Sequence, residues 1–347
     1  MIGDGMGLAH ITAARLHARG AGGELAIDRL PVTGHARTHS ATEVITDSAA
    51  AATALATGIR TRNRRLAVAP DGRHALTILE AAHDRGLATG LVATSTITHA
   101  TPAAFAVHVN DRGDEMAIAA QMIEAGVDVL LGGGRSMFLP REHAGGRRDD
   151  GRNLLDEART RGYAVVDSAT GLSASTADRV IGLFRDGPMP DSATEPTLAT
   201  LTASAINRLS RDPDGFLLMV EGSQIDWASH ENDGGRMLAE MARFDEAIAA
   251  ALEFAGHDGR TLLVVTGDHE TGGVAIRGGD MVGGNVDLAW SADTHTGVDV
   301  PVYAFGPRAI EFTGTYDNTR IPQLFAGYLG IRDFPRLSPQ QPRDTDP

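Results

Sequence analysis

The sequence predicts an α/β fold, a three-layer sandwich in which a large, mostly parallel sheet lies between layers of helices. Short apolar or β-branched runs alternate with helical patterns along most of the chain, as strand–helix units do. Acidic and imidazole side chains recur just after those runs, where the strands of such a sheet open into ligand-gathering loops. At 347 residues, with 42% apolar and 22% charged residues, the chain can bury a large core.

The first element is a glycine turn, Gly3-Asp4-Gly5-Met6-Gly7, ahead of a helix over residues 10–19. A strand is expected to lead into that turn, and only Met1-Ile2 stand in its place. The chain is therefore read as starting downstream of its natural beginning and as folding less readily for it. Residues 48–57 form an Ala-rich helix, capped by Thr46 or Asp47 and closed by Gly58. Helical patterns follow at 76–85, 114–124, 154–161, 197–209 and 235–254, and strand patterns at 87–94, 127–131, 163–166, 180–184, 216–220, 261–266 and 300–305. Segments 141–152 and 186–196, rich in Gly, Pro and polar residues, read as surface loops, and the Pro-rich stretch after Phe334 as a frayed tail. No internal repeat or linker interrupts this pattern. Residues 1–333 are expected to form one domain, with 334–347 a flexible tail.

Composition narrows the function. The net charge is −14, and every one of the 31 basic residues is Arg. Such a field repels nucleic acid and anionic lipid, so neither is an expected partner. With no Cys, disulfides, thiolate metal sites and cysteine nucleophiles are excluded. Any metal must be held by His, carboxylates and other oxygen donors. No apolar run is long enough to span a membrane, and no signal peptide is visible.

The chemistry-bearing residues cluster around the strand ends. Asp4 lies between glycines, and Asp47-Ser48 opens the Ala-rich helix. Glu221, Asp226 and His230 follow the run 216–220, Asp268-His269-Glu270 follow 261–266, and His295 precedes 300–305. Each has an ordinary explanation alone. Asp4 suits a tight turn, Asp226 and His230 can be an i,i+4 pair on a solvated helix face, and Asp268-His269 can be turn residues. His295 can be a hydrogen-bonded loop histidine, and Ser48 can simply begin a helix. On one edge of one sheet, so many carboxylates and imidazoles read as cation ligands. Ser48 would sit in a first helical turn, beside unpaired N–H groups that favour an anion. Its hydroxyl is a weak nucleophile unless a base or a metal activates it. The glycines of the first turn lack the G-x-G-x-x-G spacing, and Asp4 would oppose a pyrophosphate. A chain without Lys has no Walker-type loop.

The segments Met1–Gly7, 46–58 (Thr-Asp-Ser-Ala-Ala-Ala-Ala-Thr-Ala-Leu-Ala-Thr-Gly), 98–112, 128–134, 220–230, 265–273 and 295–307 together resemble the alkaline phosphatase family, in family order across nearly the whole chain. The resemblance implies a metal-dependent phosphomonoesterase with broad specificity and an alkaline optimum. It implies Ser48 as the nucleophile that becomes phosphoserine, and Arg112 as the phosphate-binding arginine. One zinc ion would be held by Asp226, His230 and His295, and a second by Asp4, Asp268 and His269. A third ion, usually magnesium, would sit on Asp4, Glu221 and Thr101. His99 and Trp227, placed beside the substrate, stand where enterobacterial members carry Asp and Lys, which puts the identity of the third ion in question; His99 is expected to reach that ion through water. Asp293 and Glu270 are read as partners that orient ligand imidazoles, while His35, His39, His83 and His108 have no role in the site. The chain is short for the family, so large insertions are expected to be missing. The resemblance also implies a periplasmic or extracellular home and leaves a homodimer open. The competing readings are a related phosphodiesterase or sulfatase, and a non-catalytic binder of metal or phosphate. Against a sulfatase, Asp47-Ser48-Ala49-Ala50-Ala51 lacks the C/S-x-P-x-R context.

Overall fold

A computed structural model describes residues 1–189 and 194–339. Its strands are β1 (Ile2–Gly3), β2 (Val32–Arg37), β3 (Ala88–Thr96), β4 (Val129–Gly133), β5 (Ala164–Val166), β6 (Val180–Leu183) and β7 (Phe216–Gly222). There follow β8 (Leu263–Gly267), β9 (Glu270–Thr271), β10 (Val274–Gly279), β11 (Val286–Trp290), β12 (His295–Thr296), β13 (Val300–Phe305) and β14 (Gly314–Asp317). The helices are α1 (Leu8–Arg19), α2 (Ser48–Thr57), α3 (Ile78–His83), α4 (Ala100–Ala103), α5 (Glu115–Ala125) and α6 (Leu154–Thr160). They continue with α7 (Ala169–Ala174), α8 (Leu198–Leu209), α9 (Gln224–His230), α10 (Gly234–Asp258) and α11 (Arg320–Tyr328).

Ten strands form the central sheet in the order β14-β2-β13-β8-β1-β7-β3-β4-β6-β5. Its pairings are parallel except around β13, which runs antiparallel to both β8 and β2. This one reversal positions the site. The N-terminal end of β13 lies on the same edge as the C-terminal ends of β1, β7 and β8. His295, which precedes a strand, therefore reaches the residues that follow strands.

Side chains alternate across the pleat, so neighbours such as Leu91 and Val92, or Val264 and Val265, enter different apolar layers. One layer packs α2, α3 and α5 through Leu55, Ile78 and Ile118, with Phe138 and Phe312. The other packs α1, α8 and α10 through Ile11, Leu201 and Phe244. Helices on both faces make this the expected sandwich. Caps set the helix ends: Asp47 Oδ1 accepts from the Ala50 N–H at 2.9 Å, and α2 ends at Gly58 with φ +69°.

β2, β14, the β10–β11 hairpin and α11 were not predicted from the sequence. Gly34 weakens the strand pattern of β2, yet its missing side chain is what the fold uses. A Cβ there would lie 2.2 Å from the Phe312 carbonyl oxygen. At the sheet centre β1 is only two residues long, with Ile2 opposite both Glu221 and Thr266. The ladder runs one residue further: Met1 donates to Val264 O at 2.6 Å and accepts from the Thr266 N–H at 3.1 Å. Beyond it a cavity of about 750 Å³ opens among Leu217, Met219, Leu263 and Val264.

Residues 334–339, expected to be frayed, are pinned to the body. Leu76 N–H donates to Arg336 O at 2.9 Å, and Leu337 bridges Ala75. Residues 340–347, and part of the loop expected at 186–196, lie outside the described residues. Among the described residues no helix is long and apolar enough to cross a membrane.

Candidate functional site

The C-terminal edge of the sheet gathers the flagged side chains into one buried pocket. Asp4 follows β1, Glu221 ends β7 and Asp226 and His230 sit on α9 just beyond it. Asp268 and His269 follow β8, and His295 enters from β12. Three overlapping groups result: Asp226 with His230 and His295, Asp4 with Asp268 and His269, and Asp4 with Glu221 and His99. Within each, ligand atoms lie within 4.8 Å of one another.

In the first group His230 Nδ1 donates to Asp293 O at 2.7 Å, and His295 Nδ1 donates to Thr46 O at 2.8 Å. Both carbonyls can only accept, so in the neutral rings each Nε2 carries a lone pair. Those nitrogens lie 3.1 Å apart, and Asp226 Oδ1 lies 3.4 Å from one and 3.5 Å from the other. Three electron-rich atoms converging in this way ask for a cation. The same attraction, seen by a proton, pushes His230 up to about 9 through its contact with Asp226. Burial would raise Asp226, but His230 and the neighbouring imidazoles outweigh it and hold its carboxyl well below the usual range.

In the second group His269 Nε2 lies 3.4 Å from Asp4 Oδ1 and 3.3 Å from Asp268 Oδ2. Ser48 Oγ is 3.2 Å from the same nitrogen. Ser48 begins α2, as its place after Asp47 predicts, and is 2% exposed. Burial and the neighbouring carboxylates push Asp4 well above the ordinary carboxyl range. The same causes push Asp268 up to about 8, while burial and His295 push His269 down.

Partner counting shows what the pocket is built to hold. Both Asp4 carboxylate oxygens, Asp268 Oδ2, Glu221 Oε1, Thr101 Oγ1 and His99 Nδ1 are buried without a hydrogen-bond partner. Such atoms are costly unless a ligand satisfies them. Four carboxylates and three convergent imidazoles have the donor chemistry of divalent cations, and the residues present fit such ions.

Arg112 reaches in from the loop before α5. Its Nη1 is 3.4 Å from Asp47 Oδ2, and its Nη2 donates to His99 Nε2 at 2.9 Å. That bond occupies one His99 lone pair and leaves the ring hydrogen on Nδ1, so neither nitrogen of the neutral ring is free to ligate. Burial and Arg112 push His99 down to about 3. Trp227 packs edge-on against His99, with ring centroids 5.8 Å apart.

The twelve residues that the sequence assigned to the site thus belong to this edge; of the two expected to orient imidazoles, Asp293 does so through its carbonyl, whereas Glu270 accepts from the Gly273 and Val274 N–H groups and from Thr296 instead. Sequence reasoning missed several that support them. Asp47 was expected only as a cap of α2; it also accepts from the Arg64 N–H at 2.9 Å, which ties the cap to the loop after α2, where Arg64 O in turn accepts from the Arg112 N–H at 2.8 Å. Ser223 and Ser95 donate to Glu221 Oε2 at 2.6 and 3.2 Å. Ser223 stands two residues after Glu221, a spacing that could have drawn attention. Ser95 carries no such signal.

A pocket of this charge suits divalent cations, and a hydroxyl and a guanidinium beside it suit an anionic ester. That is the class of metal-dependent phosphoric ester hydrolases. The comparisons make it specific. The family model for alkaline phosphatase matches residues 1–289 and 284–331, two segments that meet in the β10–β11 hairpin. Alkaline phosphatase 3 of Bacillus subtilis is 36% identical, over 92% of this chain and 86% of that protein. Streptomycin-6-phosphate phosphatase of Streptomyces griseus is 38% identical, over 96% of this chain and 90% of that protein. The solved alkaline phosphatase of the Antarctic bacterium TAB5 superposes with a TM-score of 0.87 at 35% identity, covering 96% of this chain and 97% of that one. The chain belongs to the alkaline phosphatase family and is a phosphatase.

Proposed function

We propose that this protein hydrolyses phosphomonoesters of broad range at alkaline pH through a phosphoserine on Ser48, with residues 1–333 acting as one catalytic domain. The observation that carries the reading is the 3.2 Å approach of Ser48 Oγ to His269 Nε2, in a pocket where both Asp4 oxygens and one oxygen each of Asp268 and Glu221 lack partners.

Two zinc ions would be held by Asp226, His230 and His295 and by Asp4, Asp268 and His269, and a third ion, magnesium, by Asp4, Glu221 and Thr101. When bound, such ions lower the pKa of the serine hydroxyl and of water and offset charge on the attacking and departing oxygens. Ser48 Oγ attacks phosphorus and gives its proton to solvent, the new Oγ–P bond forms, and the bond to the alcohol oxygen breaks as that oxygen takes up a proton from water. Water then breaks the Oγ–P bond, releasing phosphate and restoring the hydroxyl. The first-turn N–H groups of α2 and the fork of Arg112 hold the equatorial oxygens. Recognition is concentrated on the phosphoryl group, which supports a broad range.

With its ring hydrogen on Nδ1 and Nε2 engaged by Arg112, His99 lines the third site and meets its ion through water. A histidine-to-glutamate variant of the TAB5 enzyme is described with magnesium in its M3 site.

The test is turnover of p-nitrophenyl phosphate against bis-p-nitrophenyl phosphate, before and after chelation. Monoester activity that is lost on chelation and restored by zinc with magnesium supports the reading. Preferential diester turnover would make the protein a phosphodiesterase. Tight metal binding without turnover would make it a binder.

A further inference from the structure

Thr271 faces Asp226 in one cation group and His269 in the other. It is fully buried, and its hydroxyl donates to Asp226 Oδ1 at 2.5 Å. The same oxygen lies 3.3 Å from His269 Nδ1. A hydroxyl has one hydrogen, and here it goes to the carboxylate. The oxygen then meets the imidazole as an acceptor, so Nδ1 must carry the ring hydrogen. That places the His269 lone pair on Nε2, facing Ser48, Asp4 and Asp268.

The backbone reinforces this position. Thr271 pairs with His295 across the β9–β12 ladder, and its N–H donates to Gly5 O at 3.1 Å. Gly5 itself has φ +75°, and a Cβ there would lie 2.8 Å from the Thr271 hydroxyl. The glycine beside Asp4 is thus shaped to admit this side chain.

We propose that Thr271 is a positioning residue that couples the two cation groups, orienting Asp226 in one and fixing the tautomer of His269 in the other. The proposal rests on the metal-binding reading above. Partners that orient ligands in this way change metal affinity by about 10–100-fold when removed. Thr271→Val keeps the shape and deletes the hydroxyl, whereas Thr271→Ser keeps the hydroxyl.

The experiment is competition between the protein and a chromogenic chelator for zinc, run on the parent protein, Thr271→Val and Thr271→Ser. Thr271→Val should weaken zinc binding at both groups by about 10–100-fold, with Thr271→Ser close to the parent. Parent-like affinity in Thr271→Val, or weakening at one group alone, overturns the coupling. A parent protein that binds no zinc would instead refute the metal reading, so the two failures are distinguishable. Nitrogen NMR of histidine-labelled parent protein provides a check that needs no variant. The proposal requires the His269 hydrogen on Nδ1, and finding it on Nε2 overturns the proposal.

Discussion

Once divalent cations are stripped from the protein, its stability should fall relative to the metal-loaded protein as pH rises from 6.5 to 8. Burial and the charges of Asp226 and Glu221 push Asp268 up to about 8, from an ordinary 3.8. Across that window the unfolded chain has already lost this proton, while the folded chain still holds it. The folded state keeps this extra proton, so the share of stability that Asp268 contributes declines by about 1.4 kcal/mol per pH unit. Over the window this amounts to about 2 kcal/mol. Burial and the neighbouring carboxylates push Asp4 in the same direction. His230, raised to about 9, has the same sign, but its partial exposure lets solvent screen much of its share. His99, His269 and His10 are pushed down, and burial pushes the Met1 amino group down to about 5; the unfolded chain holds more of these protons at the start of the window, so these groups raise stability as pH rises, and they do so with or without cations. For a chain of this size the gap between the thermal midpoints of loaded and chelated protein should widen by about 3 °C. With cations bound, the ligating carboxylates stay ionised and their share of the slope should vanish. Scanning calorimetry of chelated and metal-loaded protein at both ends of the window makes the comparison. A gap that stays constant or narrows would refute the reasoning.

Three further outcomes follow from the same geometry. Ser48→Ala should lower kcat for p-nitrophenyl phosphate by about a thousandfold or more while retaining bound metal; turnover near the parent value would remove Ser48 from its role. Arg112→Ala should raise KM and weaken inhibition by inorganic phosphate by about 10–100-fold, from charge-assisted hydrogen bonds of about 1.5–3 kcal/mol each, and unchanged phosphate inhibition would count against it. Gly267→Ala would set a Cβ 2.3 Å from the Met6 carbonyl oxygen, where backbone must shift; a loss of about 1–3 kcal/mol is expected in denaturant titration, and parent-like stability would contradict the close approach.

The sheet and most of its helices were legible because apolar runs and caps report local structure directly. β7 and β8 follow continuous apolar runs, and Gly58 marks a helix end. β2 escaped because Gly34 and His35 interrupt its pattern, and what holds it is pairing with β13 and β14, which no local window contains. The site was legible for a different reason. Ligand residues are chemically conspicuous, and parallel strands send their ends to one edge. His295 belongs there only through the reversal of β13. The supporting shell was far less visible, because Thr271, Ser95 and Ser223 are ordinary residue types. Their significance lies in which buried oxygen or nitrogen they meet.

The most direct measurement is acid-quench peptide mass spectrometry of the protein mixed with substrate, metal-loaded and chelated. If the converging carboxylates and imidazoles hold cations that activate the serine, phosphate should be found on the peptide carrying Ser48 in the loaded protein and be absent after chelation. Phosphate on another residue, or labelling of Ser48 that survives complete removal of metal, would contradict it.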